Sequence, residues 1–104
     1  MIPEVFKDFI GQLTTQTERA NLSWSEGEFG SFVCDHKQFT LYIKRNYDEN
    51  RDSEDISFHF SNGKRSTPFY VQDNDADFRV MSRLFDAVVA NANSVSEDID
   101  KFFE

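Results

Sequence analysis

A chain of 104 residues with a formal charge of −8 and one cysteine has the length of one domain, 1–104, and can bury a core without disulfides or structural metals. The acidic balance argues against nucleic acid as a partner, because affinity for phosphates rests on Lys and Arg, and a lone cysteine excludes an intramolecular disulfide and fits a reducing compartment. Glu4, Lys7 and Asp8 interrupt the opening MIPEVFKDFIGQL and no later apolar run reaches the length of a membrane span, so neither a signal peptide nor a membrane role is expected, and the cytoplasm is the expected compartment.

Residues 2–20 predict an amphipathic helix, with Ile2, Val5, Phe6, Phe9, Ile10 and Leu13 on one face of a 3.6-residue period. Pro3 suits a first turn, where its missing N–H would have had no partner. Trp24 follows in the polar stretch Asn21-Leu22-Ser23-Trp24-Ser25, either as a plug over the core or as a stacking platform. Large aromatics usually serve by burial, which favours the plug.

Residues 28–35 read as a first strand, turning at His36-Lys37 into a second. That spacing sets Cys34 opposite Phe39, Phe32 opposite Leu41 and Gly30 opposite Ile43, all facing inward. In 39–44, Phe39, Leu41 and Ile43 alternate with Thr40, Tyr42 and Lys44; in 56–61, Ile56, Phe58 and Phe60 alternate with Ser57, His59 and Ser61. This period of two marks two central antiparallel strands, each with one apolar face. Between them, 47–55 reads as a long charged hairpin tip, solvated or offering contacts to a basic partner. An Asn62-Gly63 turn then sets Phe58 opposite Thr67 and Ile56 opposite Phe69 in a strand over 65–72. Pro68 cannot donate to a ladder, which makes this strand an edge.

A second helix is predicted over 75–91, with Phe78, Met81, Leu84, Phe85, Val88 and Val89 apolar and Asp73, Asn74, Asp75 and Asp77 at its start as caps. Ser94-Val95-Ser96-Glu97 has the pattern of a capping box opening a third helix, with Val95, Ile99, Phe102 and Phe103 apolar. The fold class is therefore α+β: an N-terminal helix, a four-stranded antiparallel β-meander and two C-terminal helices packed on one face of the sheet.

The chemistry-bearing residues do not assemble into a catalytic or metal-binding pattern. The run Asp73–Asp77 opens like a calcium loop, but Phe78 and Leu84 occupy positions where an EF-hand needs Gly and Glu. Cys34, His36 and His59 are the only N/S ligands or nucleophile–base candidates, and the expected strands spread them apart: Cys34 inward, His36 in a turn, His59 outward. Gly11, Gly27, Gly30 and Gly63 are scattered, so no phosphate-binding loop forms. The expectation is a non-enzyme without metal or cofactor.

What stands out is the sheet face turned away from the helices. Phe29, Val33, Tyr42, Lys44, His59 and Tyr70 share it with Thr40 and Ser57, a composition of aromatics with polar companions that suits a protein–protein contact. Alternatively, the third helix folds across it. Charge is unevenly spread: six of eleven cations lie between 37 and 65, whereas 73–104 hold eight acids against Arg79, Arg83 and Lys101. A basic protein partner or a homodimer is expected, in a protein-binding module such as an immunity protein, antitoxin-like inhibitor or accessory subunit. The alternative is a small-molecule sensor or enzyme with a pocket between helices and sheet.

In the order of Leu22-Ser23-Trp24, the Phe39-Thr40-Leu41-Tyr42-Ile43 strand, the Ser61-Asn62-Gly63 turn and the Leu84-Phe85 helix, the chain resembles a group of small bacterial helix–Trp–β-meander–helix proteins. The resemblance spans most of the chain, is one of pattern, and carries over no activity and no catalytic residue. Small acidic immunity proteins and secretion chaperones are similar in size and charge.

Overall fold

The computed structural model describes residues 1–104. A short 3₁₀ turn at Glu4–Phe6 leads into α1 (Lys7–Glu18); β1 (Ser25–Glu26), β2 (Ser31–His36), β3 (Phe39–Asp48), β4 (Ser53–Asn62) and β5 (Arg65–Gln72) follow, then α2 (Phe78–Ala92) and α3 (Val95–Phe102). The five strands form one antiparallel meander in the order β1-β2-β3-β4-β5. The α+β architecture is as expected, with one strand more. The added β1 is a two-residue bridge to Phe32 and Val33, too short to leave a periodic signal in the sequence.

Both expected hairpin registers are displaced by two residues. Cys34 pairs with Leu41 and Phe32 with Ile43, so the turn is Lys37-Gln38; Phe58 pairs with Phe69 and Ile56 with Val71, so the turn is Gly63-Lys64. His36 accordingly closes β2 opposite Phe39 instead of lying in the turn. Gly63 takes the positive φ of 61° that its turn requires, and Lys37 takes one of 58° without being glycine. A slip of two keeps every side chain on its face, so Phe32 and Cys34 still point inward; Gly30, expected opposite Ile43, instead lies in a 3₁₀ turn at Glu28–Gly30 before β2, with φ 78°. The hairpin between the central strands is also longer than expected. β3 runs to Asp48 and β4 starts at Ser53, which shrinks the 47–55 loop to a tip at 49–52. Asn46 donates to Asp55 at 2.7 Å and Arg45 pairs with Glu54 at 3.1 Å across these extensions. β5 is an edge, with Pro68 opposite His59.

The core lies between the inward sheet face and the helices. Ile43, Ile56, Phe58 and Val71 from the sheet, Ile10 from α1, and Met81, Leu84 and Val88 from α2 are completely buried. Phe6 packs against Phe69, Phe60 and Phe58 with ring centroids 5.4–6.5 Å apart, and Phe32 meets Phe85 edge-on at 5.8 Å. Arg45 closes one end of this layer, its guanidinium 5.7 Å from the Phe78 ring and 5.9 Å from that of Phe85. Val5, expected in the core, is exposed. The 3₁₀ turn at 4–6 advances about 120° per residue and swings it off the face that α1 buries.

α1 and α2 run parallel. The Ile2 N–H donates to Asp77 Oδ2 at 2.9 Å at one end, and Asn91 bonds Thr17 and Leu22 at the other. The aspartates before α2, expected as caps, make no side-chain cap bond to the helix and instead secure other segments. Asp75 takes the Asp77 N–H at 2.8 Å and the N-terminal ammonium at 2.7 Å, and Asp73 takes the Glu54 N–H at 2.8 Å. The N-terminal ammonium and the Asp77 N–H hold the Asp75 carboxyl below the usual carboxylate range. The capping box at Ser94 does not form. Ser94 is left-handed (φ 53°, ψ 40°), its hydroxyl caps nothing, and its N–H donates to Asn91 O at 3.2 Å, so it ends α2.

Candidate functional site

Val33, Tyr42, His59 and Pro68 lie in one row across β2 to β5, and Ser31, Lys44, Ser57 and Tyr70 in the next. The strands thus bring the expected outward residues together on one face. Tyr42 and His59 form its centre, with ring centroids 4.8 Å apart, and both are half-buried by their sheet neighbours. Tyr70, on the edge strand, is 61% exposed. The third helix leaves this face open, since its contacts are with α2.

Phe29 reaches the face differently from the expectation. It sits in a 3₁₀ turn at Glu28–Gly30 that precedes β2, with φ 56° and ψ 40°. Left-handed backbone at a bulky side chain is uncommon and stores strain. The turn is built to hold it: Ser31 Oγ donates to Glu28 O at 2.7 Å, and the Gly27 N–H donates to Ser31 O at 2.8 Å. A Cβ at Gly27 would stand 2.6 Å from Ser31 Oγ, so only glycine lets the two sides of the turn approach. The Phe29 ring is 86% exposed, and the Lys44 ammonium lies 5.9 Å from its centroid. An aromatic anchor with a cation above it, beside the tilted Tyr42–His59 pair, can take up an apolar side chain and an acceptor group together.

Cys34 faces the core and is nearly inaccessible. Desolvation, and secondarily the neighbouring Asp35 carboxylate, push its thiol pKa up, which disfavours the nucleophilic thiolate. Trp24 is in the core, 5% exposed, its indole N–H donating to Thr17 Oγ1 at 3.1 Å. The polar residue that organises this corner is Asn91, in the last turn of α2. Its Oδ1 accepts the Trp24 N–H at 2.8 Å, and its Nδ2 donates to Thr17 O at 3.2 Å and Leu22 O at 2.8 Å. Nothing in the spacing of the sequence signals such a hub, because its three partners belong to other segments.

The buried cluster occupies the layer between helices and sheet. A recess of about 950 Å³ is bordered by the ends of α1 and α2 and the start of α3, over Trp24 and Asn91. At the hairpin tip, Tyr47 donates to Asp52 at 2.5 Å, a bond to the neutral phenol that raises the Tyr47 pKa. No helix is long and apolar enough to cross a membrane. Comparison of the chain with protein-family models, with curated proteins and with solved structures found no match.

Proposed function

We propose that the chain is a non-catalytic protein-binding module that docks its partner through the outer face of the sheet, around Phe29, Val33, Tyr42, Lys44, His59 and Tyr70. The observation that carries this is the setting of Phe29. An 86% exposed ring contributes little to the core, yet the backbone beneath it is held in a conformation that costs about 1–3 kcal/mol. A dedicated turn anchored by Gly27 and Ser31 keeps it beside the central aromatic pair. Large exposed aromatics pre-positioned beside a flat, half-polar face are what dominate binding energy at interfaces. The net charge of −8 favours approach by a basic partner through steering, which accelerates encounter more than it tightens the complex.

The test is affinity capture from the native cell with wild-type and Phe29→Ala/Tyr42→Ala baits, followed by titration of whichever purified partner the wild type enriches. The double variant should keep the wild-type circular dichroism spectrum while affinity falls by about tenfold or more. Unchanged affinity in the folded double variant would remove this face from consideration.

A further inference from the structure

The helical side carries a second surface, independent of the sheet face. Because α1 and α2 are parallel, both C-terminal ends meet at the recess over Trp24, and both bring partial negative charge to it. Along α2 the recess extends from Arg79 past Asn91, a run of about 18 Å or three helical turns at 1.5 Å per residue. Its wall on α2 is low, formed by the small side chains of Ala87 and Ala90. α3 turns away at Ser94 and carries Ile99, Phe102 and Phe103 beyond the recess, the two phenylalanines each 80% exposed and meeting edge-on at 5.0 Å. An amphipathic helix with its apolar side bare is a face awaiting cover.

The surrounding charge indicates what covers it. Glu18, Asp86 and Glu97 line the recess against Arg79 and Arg83; Glu18 and Arg83 neutralise each other at 3.1 Å, which leaves Asp86 and Glu97 against Arg79, and α3 adds Asp98, Asp100 and Glu104 against Lys101. We propose that the groove between α1, α2 and α3 docks a cationic amphipathic helix of a protein partner. Its apolar stripe would lie on Ala87, Ala90 and Val95 in the recess and run on to Phe102 and Phe103 past its end, with its Lys or Arg side chains against the acidic rim, as amphipathic helices seat in grooves. A second copy of this chain would offer α3, whose Glu97, Asp98, Asp100 and Glu104 against Lys101 bring like charge to the same rim, and an anionic membrane would be repelled in the same way.

The position of the single Trp supplies the assay. A Leu/Lys peptide of about 14 residues with helical apolar spacing, free of Trp and Tyr, spans the groove and is titrated against the whole chain. A saturable change in Trp24 emission is expected. Phe102→Ser/Phe103→Ser, and separately Ala90→Lys, should weaken it about tenfold or more, whereas Phe29→Ala and Tyr42→Ala should leave it unchanged. All three groove substitutions fall on exposed positions, so the fold is retained. No saturable response would overturn the proposal. So would an equal response to the peptide with Glu in place of Lys, or a response that depends on Tyr42 and not on Phe102. Light scattering that shows a dimer dissociated by Phe102→Ser/Phe103→Ser would also overturn it, by assigning the groove to a second copy.

Discussion

Replacing Asn91 by Ala removes three hydrogen bonds at once, and its cost can be worked from their geometry. Trp24 N–H, Thr17 O and Leu22 O lose partners at 2.8, 3.2 and 2.8 Å. An ordinary intramolecular hydrogen bond contributes about 1 kcal/mol net, and a sealed, orphaned group costs up to about 3. The site borders the recess, so water can reach part of it, and the lower figure applies to each bond. The expected loss is about 3 kcal/mol in total, a large share of the 5–15 kcal/mol typical of a domain. With an unfolding entropy of about 2 cal/mol/K per residue, a chain of 104 residues loses about 4–5 °C in Tm per kcal/mol, so Tm should fall by about 14 °C. Urea unfolding followed by Trp24 emission gives the free energy directly. Asn91→Asp sharpens the test. It keeps an acceptor for the Trp24 N–H but turns a carboxylate toward the carbonyls of Thr17 and Leu22, and should be at least as costly as Ala at neutral pH. A loss below about 0.5 kcal/mol for Asn91→Ala, the range of ordinary surface substitutions, would show that the hub is not holding α1, the Trp24 segment and α2 together.

Phe29→Gly should leave stability unchanged or raise it by about 1 kcal/mol, because it relieves a left-handed backbone under a ring the core does not use; chemical denaturation reads this, and a loss of comparable size would make Phe29 structural. Cys34 should be silent toward a thiol-specific disulfide reagent in the native state and react fully once the chain is unfolded, as its burial and raised pKa dictate; fast native labelling would contradict the packing. Asp75, whose pKa is lowered by the N-terminal ammonium and the Asp77 N–H, contributes stability present above the ordinary carboxylate pKa and lost as pH falls through its lower folded value. Acetylating the N-terminus or introducing Asp75→Asn should therefore flatten the fall of Tm on acidification, and an unaltered profile would mean the pair is inert.

Much of the layer architecture was legible because it depends on side-chain direction. Phe32, Cys34, Leu41, Ile43, Ile56 and Phe58 face the core although both hairpin turns lie one residue later than expected, since a two-residue slip returns every side chain to its own face. What stayed hidden depends on backbone detail or on distant partners. Lys37 adopts a positive φ that its residue type does not advertise, and the 3₁₀ geometry at 4–6 displaces Val5 from a face that pure α-periodicity assigned to it. Ser94 has the sequence of a helix cap, but α2 continues to Ala92 and uses it as a terminator. The outward aromatics followed from alternation alone. The Phe29 turn and the exposed stripe of α3 did not, because exposure is a property of what fails to pack nearby.

The parallel pairing of α1 and α2 also orders the events by which the molecule is assembled. Each strand of the meander finds its neighbour across a short connection, whereas Ile2 meets Asp77 across 75 positions and Thr17 meets Asn91 across 74. Closing such distances carries an entropic penalty that grows with loop length, and contacts of this kind slow folding when the rate-limiting step includes them. Hairpins β2–β3, β3–β4 and β4–β5, with α2 laid over them, can form before α1 is in place. We expect α1 to dock last, clasped by Asp75 and Asp77 at one end and Asn91 at the other. Substitutions at Asn91 should consequently accelerate unfolding and leave the folding rate nearly unchanged, making the first helix the part of the chain that opens soonest.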